Sequence, residues 1–406
     1  MRKTRLLALL AALTVSVTAF VSCGSDDSSS GAETTTTAAG TQAPAESTAD
    51  SKAEPDASLA RTGEIRSLTA AQLVAEIKTG WNLGNSLDAY GNKGVLSEIA
   101  WGNPKTTKDM IDAVKAKGFD LIRIPVTWGG HLGEGPDYTV DPEWFDRVQE
   151  VVNYAYDNGM YVIINSHHEE DWRIPDNKHI EAVDAEVKAL WLQIAERFKD
   201  YGDHLIFEGL NEPRVKDGAN EWNGGTKEGR ECVNRLNKTF LDAVRSTGGN
   251  NTNRLLLLTT FASSCGTTAI NAAEIPQDEH VGYSIHAYTP YAFTYNANES
   301  WELFTWDGSH DTEILGMLYN LKERFVDNGV PVIITEYGAV NKDGNDEEVA
   351  KWATCYLTTA KSVGIPCVWW DNGYYTTGNE LFGIFNRKKC EWYSNTVADA
   401  IVGVYK

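Results

Sequence analysis

Positive charge is what this chain lacks first. Its 36 Lys and Arg face 57 Asp and Glu, a formal net charge of -21. Such a surface repels phosphate backbones and anionic lipid, so nucleic-acid and membrane-surface binding are excluded as main roles. A neutral ligand met by a soluble extracellular protein fits better. Cysteine is scarce too, with six residues, and no Cys-x-x-Cys spacing suggests a zinc site. If Cys23 belongs to an export signal, Cys232, Cys265, Cys355, Cys367 and Cys390 remain, and that odd number leaves at least one free thiol. No internal repeat is visible beyond alternation of strands and helices. No segment has the length and heptad pattern of a coiled coil.

The one long apolar run lies at the N-terminus. Arg2, Lys3 and Arg5 precede an uncharged stretch from Leu6 to Val21, short for a membrane span but matching the charged and apolar regions of a secretory signal. It ends in Val21-Ser22-Cys23-Gly24, which resembles a bacterial lipoprotein signal with Cys23 as the acylated residue, although Phe20 stands where an aliphatic residue is usual. Residues 1–22 are therefore expected to be removed, leaving a secreted or cell-surface protein whose one membrane contact is a lipid at Cys23. Plain secretion is the alternative. Residues 23–61 are Ser, Thr, Ala, Gly, Asp and Glu with few large apolar side chains, which cannot offset ordering entropy and imply a linker. Residues 62–406 carry the fold.

What that remainder has is rhythm. Eight apolar runs appear: Gly80 to Asn85, Leu121 to Trp128, Tyr161 to His168, Leu205 to Asn211, Arg254 to Phe261, Val281 to Tyr288, Val332 to Tyr337 and Pro366 to Asp371. Amphipathic stretches separate them, from Thr107 to Lys117, Asp141 to Asn158, Ala182 to Phe198, Arg230 to Ser246, Thr312 to Asn328 and Asp346 to Ser362. Gly118, Gly159, Gly329 and Gly364 stand where such helices should stop. The pattern predicts an α/β protein with a single (β/α)8 TIM barrel. The weakest link is Ala262 to Ala273, where the helical signal is short.

A barrel of this kind builds its site at the carboxyl ends of the strands. Those ends supply Asn82, Asn85, Arg123, His167, His168, Asn211, Glu212, His286, Tyr288, Glu336, Trp370 and Asp371. Insertions at 171–179, 215–229 and 289–308 also follow strand ends and should lie on that face. Each polar residue alone could be a solvated strand end, but the conjunction points to chemistry. Glu212, stopped by Pro213, and Glu336 form a carboxylate pair. Glycoside hydrolysis needs such a pair, one to protonate the leaving oxygen and one to attack or to activate water. Arg123 is a candidate to hold a carboxylate ionised, and Asn211 to bind a sugar hydroxyl. The 13 Trp and 17 Tyr suit sugar stacking, though a large core would use them as well. Trp101, Trp128, Trp172, Trp222, Trp301 and Trp306 are candidates for a cleft. The adjacent His167 and His168 should point to opposite faces of a strand, which argues against a metal site, and no cofactor is expected.

With these motifs in place, the chain resembles glycoside hydrolase family 5, in the clan of barrel glycosidases. The resemblance runs through Gly80-Trp81-Asn82-Leu83-Gly84-Asn85, Arg123-Ile124-Pro125, His167-His168, Asn211-Glu212-Pro213-Arg214, His286-Ala287-Tyr288, Thr335-Glu336-Tyr337-Gly338 and Trp370-Asp371-Asn372. It implies a monomeric endo-β-1,4-glucanase that retains configuration, with Glu212 as acid/base and Glu336 as nucleophile. Asn211 would partner the sugar 2-hydroxyl. Arg123 and Tyr288 would contact or orient Glu336, and Asn82, His168 and His286 would line the site. Trp370 would be the sugar platform. Of the paired histidines the family's essential one aligns with His168, leaving His167 to line the site or only to pack. Retention requires carboxyl groups roughly 5 to 5.5 Å apart, whereas about 9 Å would mean inversion. A hemicellulase of the same family and a non-catalytic polysaccharide-binding protein are the rival readings.

Overall fold

The structure is a computed structural model that describes residues 56–169, 171–218, 220–295, 302–378 and 380–406. The expected signal, Cys23, linker residues 23–55 and Trp301 lie outside the described residues. The eight apolar runs become eight strands in the expected order. They are β1 (Thr79–Asn82), β2 (Leu121–Ile124), β3 (Tyr161–Asn165), β4 (Leu205–Glu208), β5 (Leu256–Ser264), β6 (Val281–His286), β7 (Val332–Tyr337) and β8 (Cys367–Trp369). Each pairs in parallel with the next, and β1 pairs with β8 to close the barrel. Nearly every strand residue is buried, because helices cover the outside and side chains fill the inside.

Ten helices accompany them among the described residues: α1 (Ala70–Val74), α2 (Lys108–Lys117), α3 (Pro142–Tyr156), α4 (Ile180–Arg197), α5 (Lys227–Ser246), α6 (Thr267–Ala272), α7 (Tyr291–Thr294), α8 (Asp311–Arg324), α9 (Asp346–Ser362) and α10 (Asn395–Gly403). The short signal after Phe261 is a short helix, α6. Its preceding strand, β5, leaves the regular ladder where Ala262 and Ser263 take positive φ. The glycines placed at helix ends, Gly118, Gly159, Gly329 and Gly364, all have positive φ, the conformation that ends a helix without a Cβ clash. The folded unit reaches back into the expected linker. Arg61 pairs with Asp157 at 2.8 Å, and the Leu59 carbonyl accepts from Asn153 at 2.7 Å.

The barrel interior is layered by the two-residue period of its strands. Ile163, Ile206, Leu257, Ile333 and Val368 form an apolar cluster closed by Leu73, Val74 and Ile77 at and just after α1. Two residues beyond Ile206 and Ile333, Glu208 and Thr335 join Asn82, Arg123 and Ser284 of β1, β2 and β6 in a buried polar layer. That layer is the floor of the site.

At the opposite end Arg254 fastens the barrel. Its guanidinium is fully buried and donates to the carbonyls of Leu205 and Tyr201 at 2.8 Å, Phe198 at 3.0 Å and Gly202 at 3.1 Å, and to Asn251 Oδ1 at 2.8 Å. Several of these carbonyls lie just beyond the end of α4, where backbone acceptors lack helical partners. Replacing Arg254 by Leu removes all five of these bonds at once and should cost about 3 kcal/mol or more in urea unfolding. KM should not change, because the site lies at the other end of the strands.

Candidate active site

Arg123 comes first because the site is built on it. Inward-pointing on β2 and wholly buried, it donates from Nε to Glu208 Oε2 (2.6 Å), from Nη1 to Glu336 Oε1 (2.7 Å) and Asn82 Oδ1 (2.9 Å), and from Nη2 to Asn211 Oδ1 (2.8 Å) and Glu208 Oε1 (3.0 Å). Burial works against its charge, but the Glu208 and Glu336 carboxylates more than offset this and hold its pKa above the ordinary value. Ser284 Oγ completes the set by donating to Glu208 Oε1 at 2.8 Å. Glu208 had no role in the sequence reading. It sits inside an apolar run, and only its shared parity with Ile206 marks it as inward-facing.

The two expected carboxylates meet above this floor. Glu336 lies within β7, while Glu212 stands four residues past the end of β4, in the loop that leads to α5. The chain stays extended between, with Gly209 N–H donating to Leu257 O at 3.0 Å and Asn211 N–H to Ser166 O at 2.9 Å. His286 Nδ1 bridges the pair, 2.7 Å from Glu212 Oε1 and 3.4 Å from Glu336 Oε2. One oxygen of each carboxylate and this nitrogen all lie within 4.8 Å of one another. Tyr288 OH donates to Glu336 Oε2 at 2.9 Å. Burial pushes the Glu336 carboxyl above its usual range; His286 and Arg123 pull it back and the neighbouring Glu212 adds to the rise. Burial and Glu336 together push the Tyr288 phenol well up, keeping it a neutral donor.

His167 and His168 both lie beyond β3, so strand alternation does not separate them as expected, and both face the cleft. Asn165 Oδ1 accepts from Val126 N–H at 3.1 Å, which turns its amide nitrogen to His167 Nδ1, also 3.1 Å away. His167 therefore carries its proton on Nε2, and burial holds its pKa well below the usual value. Its ring stacks parallel to Trp370, with centroids 5.8 Å apart. His168 turns outward, 5.3 Å from Trp101 and with Nε2 3.9 Å from Asp88. His167, left between lining the site and only packing, is thus the one set against the Trp370 face.

Trp370 lies over Gly84, where an added Cβ would come within 2.7 Å of the indole. Its neighbour Asp371 is anchored by Trp81 Nε1 at 3.1 Å and the Ile384 amide at 2.8 Å. The cleft above has a volume of about 910 Å³. Asn211 enters it with Oδ1 turned to Arg123, so the amide NH2 is the end it presents. Asn82, expected to line the site, lies with Arg123 in the floor itself with no exposed surface, so both can only position others, and for Arg123 that is the expected contact with Glu336. The cleft is also walled by Arg214, Trp222, Tyr291, Tyr295 and Glu380. Of these only Trp222 was a candidate. The other tryptophans divide: Trp128 is core, Trp306 packs on Phe293, Trp172 lies over Arg173 and Trp101 beside His168.

Among the described residues two groups, Glu212–His286–Glu336 and Asp88–His167–His168, are close enough for one cation. Neither is shaped as a ligand set. Arg123 already meets Glu336, the Asn165 amide takes His167 Nδ1, and Asp88 accepts the Asn85 and Ser86 amides at 2.9 and 2.7 Å. The arrangement is one of proton donors and acceptors around two carboxylates.

A family profile described as cellulase (glycosyl hydrolase family 5) matches residues 84–376. The chain belongs to glycoside hydrolase family 5. Within the family it is 69% identical over 345 residues to endoglucanase A of Ruminococcus albus, covering 85% of this chain and 95% of that protein. Among solved family 5 structures, a broad-specificity endoglucanase from Ruminococcus champanellensis with bound cellotriose superposes with a TM-score of 0.81 at 44% identity, covering 84% of this chain and all of that one (100%). A xyloglucan-specific endo-β-1,4-glucanase from a metagenomic library, in complex with cellotriose, gives 0.80 at 43%, covering 82% and 98%.

Glu208 offers a test of the floor. Glu208→Gln keeps the shape but removes half of the charge that holds Arg123, and should lower kcat by about ten- to a hundredfold through misplacement of Glu336. KM should change little, because Glu208 does not line the cleft. An unchanged kcat would mean that the floor does not position the carboxylate.

Proposed function

We propose that this chain is a retaining endo-β-1,4-glucanase that cleaves internal bonds of cellulose and related β-glucans by double displacement. The observation that carries the reading is the pair of carboxylates bridged by His286, with oxygens within 4.8 Å. That spacing suits direct attack and leaves no room for the water that inversion places between the groups. The pair is also unequal. Two like charges this close disfavour joint ionisation, and Glu336 has both Arg123 and Tyr288 donating to it. Glu336 is thus the group suited to stay ionised and Glu212 the one suited to hold the proton.

The chemistry follows from those roles. A Glu336 oxygen forms a bond to the anomeric carbon while the glycosidic oxygen leaves with the proton of Glu212. Glu212, now ionised, takes a proton from water, whose oxygen displaces Glu336 and restores both groups. Asn211 and the Nε2–H of His167 face the sugar as donors, and Trp370 supports its ring. Arg123 and Asn82 act through Glu336. Xyloglucanase activity is a second reading, favoured by the likeness to the xyloglucan-specific structure.

The glutamate pair is tested on purified protein. Glu336→Gln and Glu212→Gln should each lower kcat on soluble β-glucan by about a thousandfold or more. On a dinitrophenyl cellobioside, whose leaving group departs unprotonated, Glu212→Ala should still form the glycosyl-enzyme and yield with azide the glycosyl azide of retained configuration, whereas Glu336→Ala should form no glycosyl-enzyme and any azide product should be inverted. Wild-type rates from either Gln variant would remove the assignment. A panel of glucan, xyloglucan, xylan and mannan decides between the two substrate readings.

We also propose that the protein is exported as a monomer and held at the cell surface by lipid on Cys23, with the residues between Cys23 and the folded unit as tether. Among the described residues no helix is long and apolar enough to cross a membrane. Cys23→Ala should move the enzyme from the detergent phase to the culture medium. Equal partition of both forms would leave plain secretion.

A further inference from the structure

The loop that carries Glu212 also carries a charge pair that the reaction as described leaves unused. Arg214 Nη1 lies 3.3 Å from Glu212 Oε2 and 3.1 Å from the Glu212 carbonyl. Its Nε donates to Glu221 Oε1 at 2.8 Å, and Glu221 Oε2 accepts the Asp217 amide at 2.9 Å. The side chains of Arg214 and Glu221 are only 11% and 14% exposed. Trp222 helps to cover them: its ring centre is 4.6 Å from the Arg214 guanidinium carbon, and its own surface, 59% exposed, faces the cleft.

This placement poses an electrostatic problem. A general acid must hold its proton until the leaving group needs it, yet a cation beside a carboxyl favours the ionised form. An uncompensated Arg214 would strip Glu212 of its proton at lower pH. Glu221 opposes that by dividing the guanidinium between two carboxylates. Resting on the reading of Glu212 as acid/base, we infer that Arg214 and Glu221 are positioning residues that set how tightly Glu212 holds its proton, and so fix the alkaline limit of activity. Arg214 fixes the carboxylate toward the Trp222 side of the cleft and stabilises it once ionised, and Glu221 limits how early that happens.

Other groups face Glu212 too. His286 reaches it from β6 and Glu336 from β7, with Tyr288 behind Glu336. His167 lies beside it on the β3 side. Across a small cavity behind Asn211 and Glu212 stand Glu169 and Arg173. Glu169 accepts the Trp128 amide at 2.7 Å, and burial pushes its carboxyl up to about 7. These groups share the titration, but Arg214 and Glu221 lie on the loop of Glu212 itself. They can be changed without touching the floor or Glu336.

The test is the pH profile of kcat/KM on a soluble β-glucan. Glu221→Gln should move the alkaline limb toward acid by about half a pH unit or more, and Arg214→Gln should move it the other way. Arg214→Lys, which keeps the charge, should leave the limb near its wild-type place, and the double variant R214Q/E221Q should return toward it. On a dinitrophenyl cellobioside, which needs no proton, these displacements should vanish. A purely structural role predicts lower kcat at every pH with the limb unmoved, and that result overturns the inference. Because Glu212→Gln is measured alongside, an active Glu212→Gln would instead overturn the acid/base reading on which this rests.

Discussion

A guanidinium with no access to water sits in the barrel at Arg123, and the architecture above it is the set of partners that makes this tolerable. Leaving such a charge unpaired in a protein interior costs several kcal/mol. Arg123 meets the cost with all five N–H groups, directed to Glu208, Glu336, Asn82 and Asn211. Those partners come from β4, β7, β1 and the loop after β4. One buried cation thereby ties together strands spread around the ring. A slip of one residue in β2 would turn Arg123 outward and strand two carboxylates. Register and site are specified by the same contacts.

This explains which parts of the molecule could be read from the chain. The strands were legible because a parallel barrel buries both faces, so each strand is a short apolar run in front of an amphipathic helix. Their carboxyl ends were legible only as neighbourhoods. The apolar run Leu205 to Asn211 hides the point where the ladder stops at Glu208, and Glu212 therefore stands on a loop. Glu208 escaped notice for the same reason, being one polar residue within a run, although its parity with Ile206 places it inward. The paired histidines could not be told apart, because their directions depend on the Asn165 amide and on Trp370, which is distant in sequence. The cleft wall outside the strand ends was the least legible part. Arg214, Tyr295 and Glu380 come from loops and Tyr291 from the one-turn α7, with no period to mark them.

The division between strands and loops also separates two kinds of work. Glu336 rises from a strand and is held from below by Arg123, in a layer that no substrate touches. Glu212 stands on a loop and is held from the side by His286 and Arg214. A nucleophile must keep one charge and one position, which a rigid buried layer provides. An acid/base must gain and lose a proton in each turnover, and a loop gives it neighbours that can differ in charge without disturbing the core.

Arginine at position 123 is dictated by this geometry more than by its charge. Its planar fork directs donors along fixed lines, so it holds Glu208 with two parallel bonds while Nη1 reaches Glu336 and Nη2 reaches Asn211. Lysine would bring the same charge with three donors on a flexible stem. At least two of the five bonds would then be lost in a layer closed to water, at a cost of about 1–3 kcal/mol for each acceptor left without a partner. Asn82 shows how far the constraint extends: its oxygen is spent on Arg123 and its amide on Thr335 O at 2.9 Å and Trp369 O at 3.2 Å. The same side chain thus orients the cation and fastens the strands that carry Glu336 and Trp370. Catalytic geometry in this barrel is therefore inseparable from barrel closure.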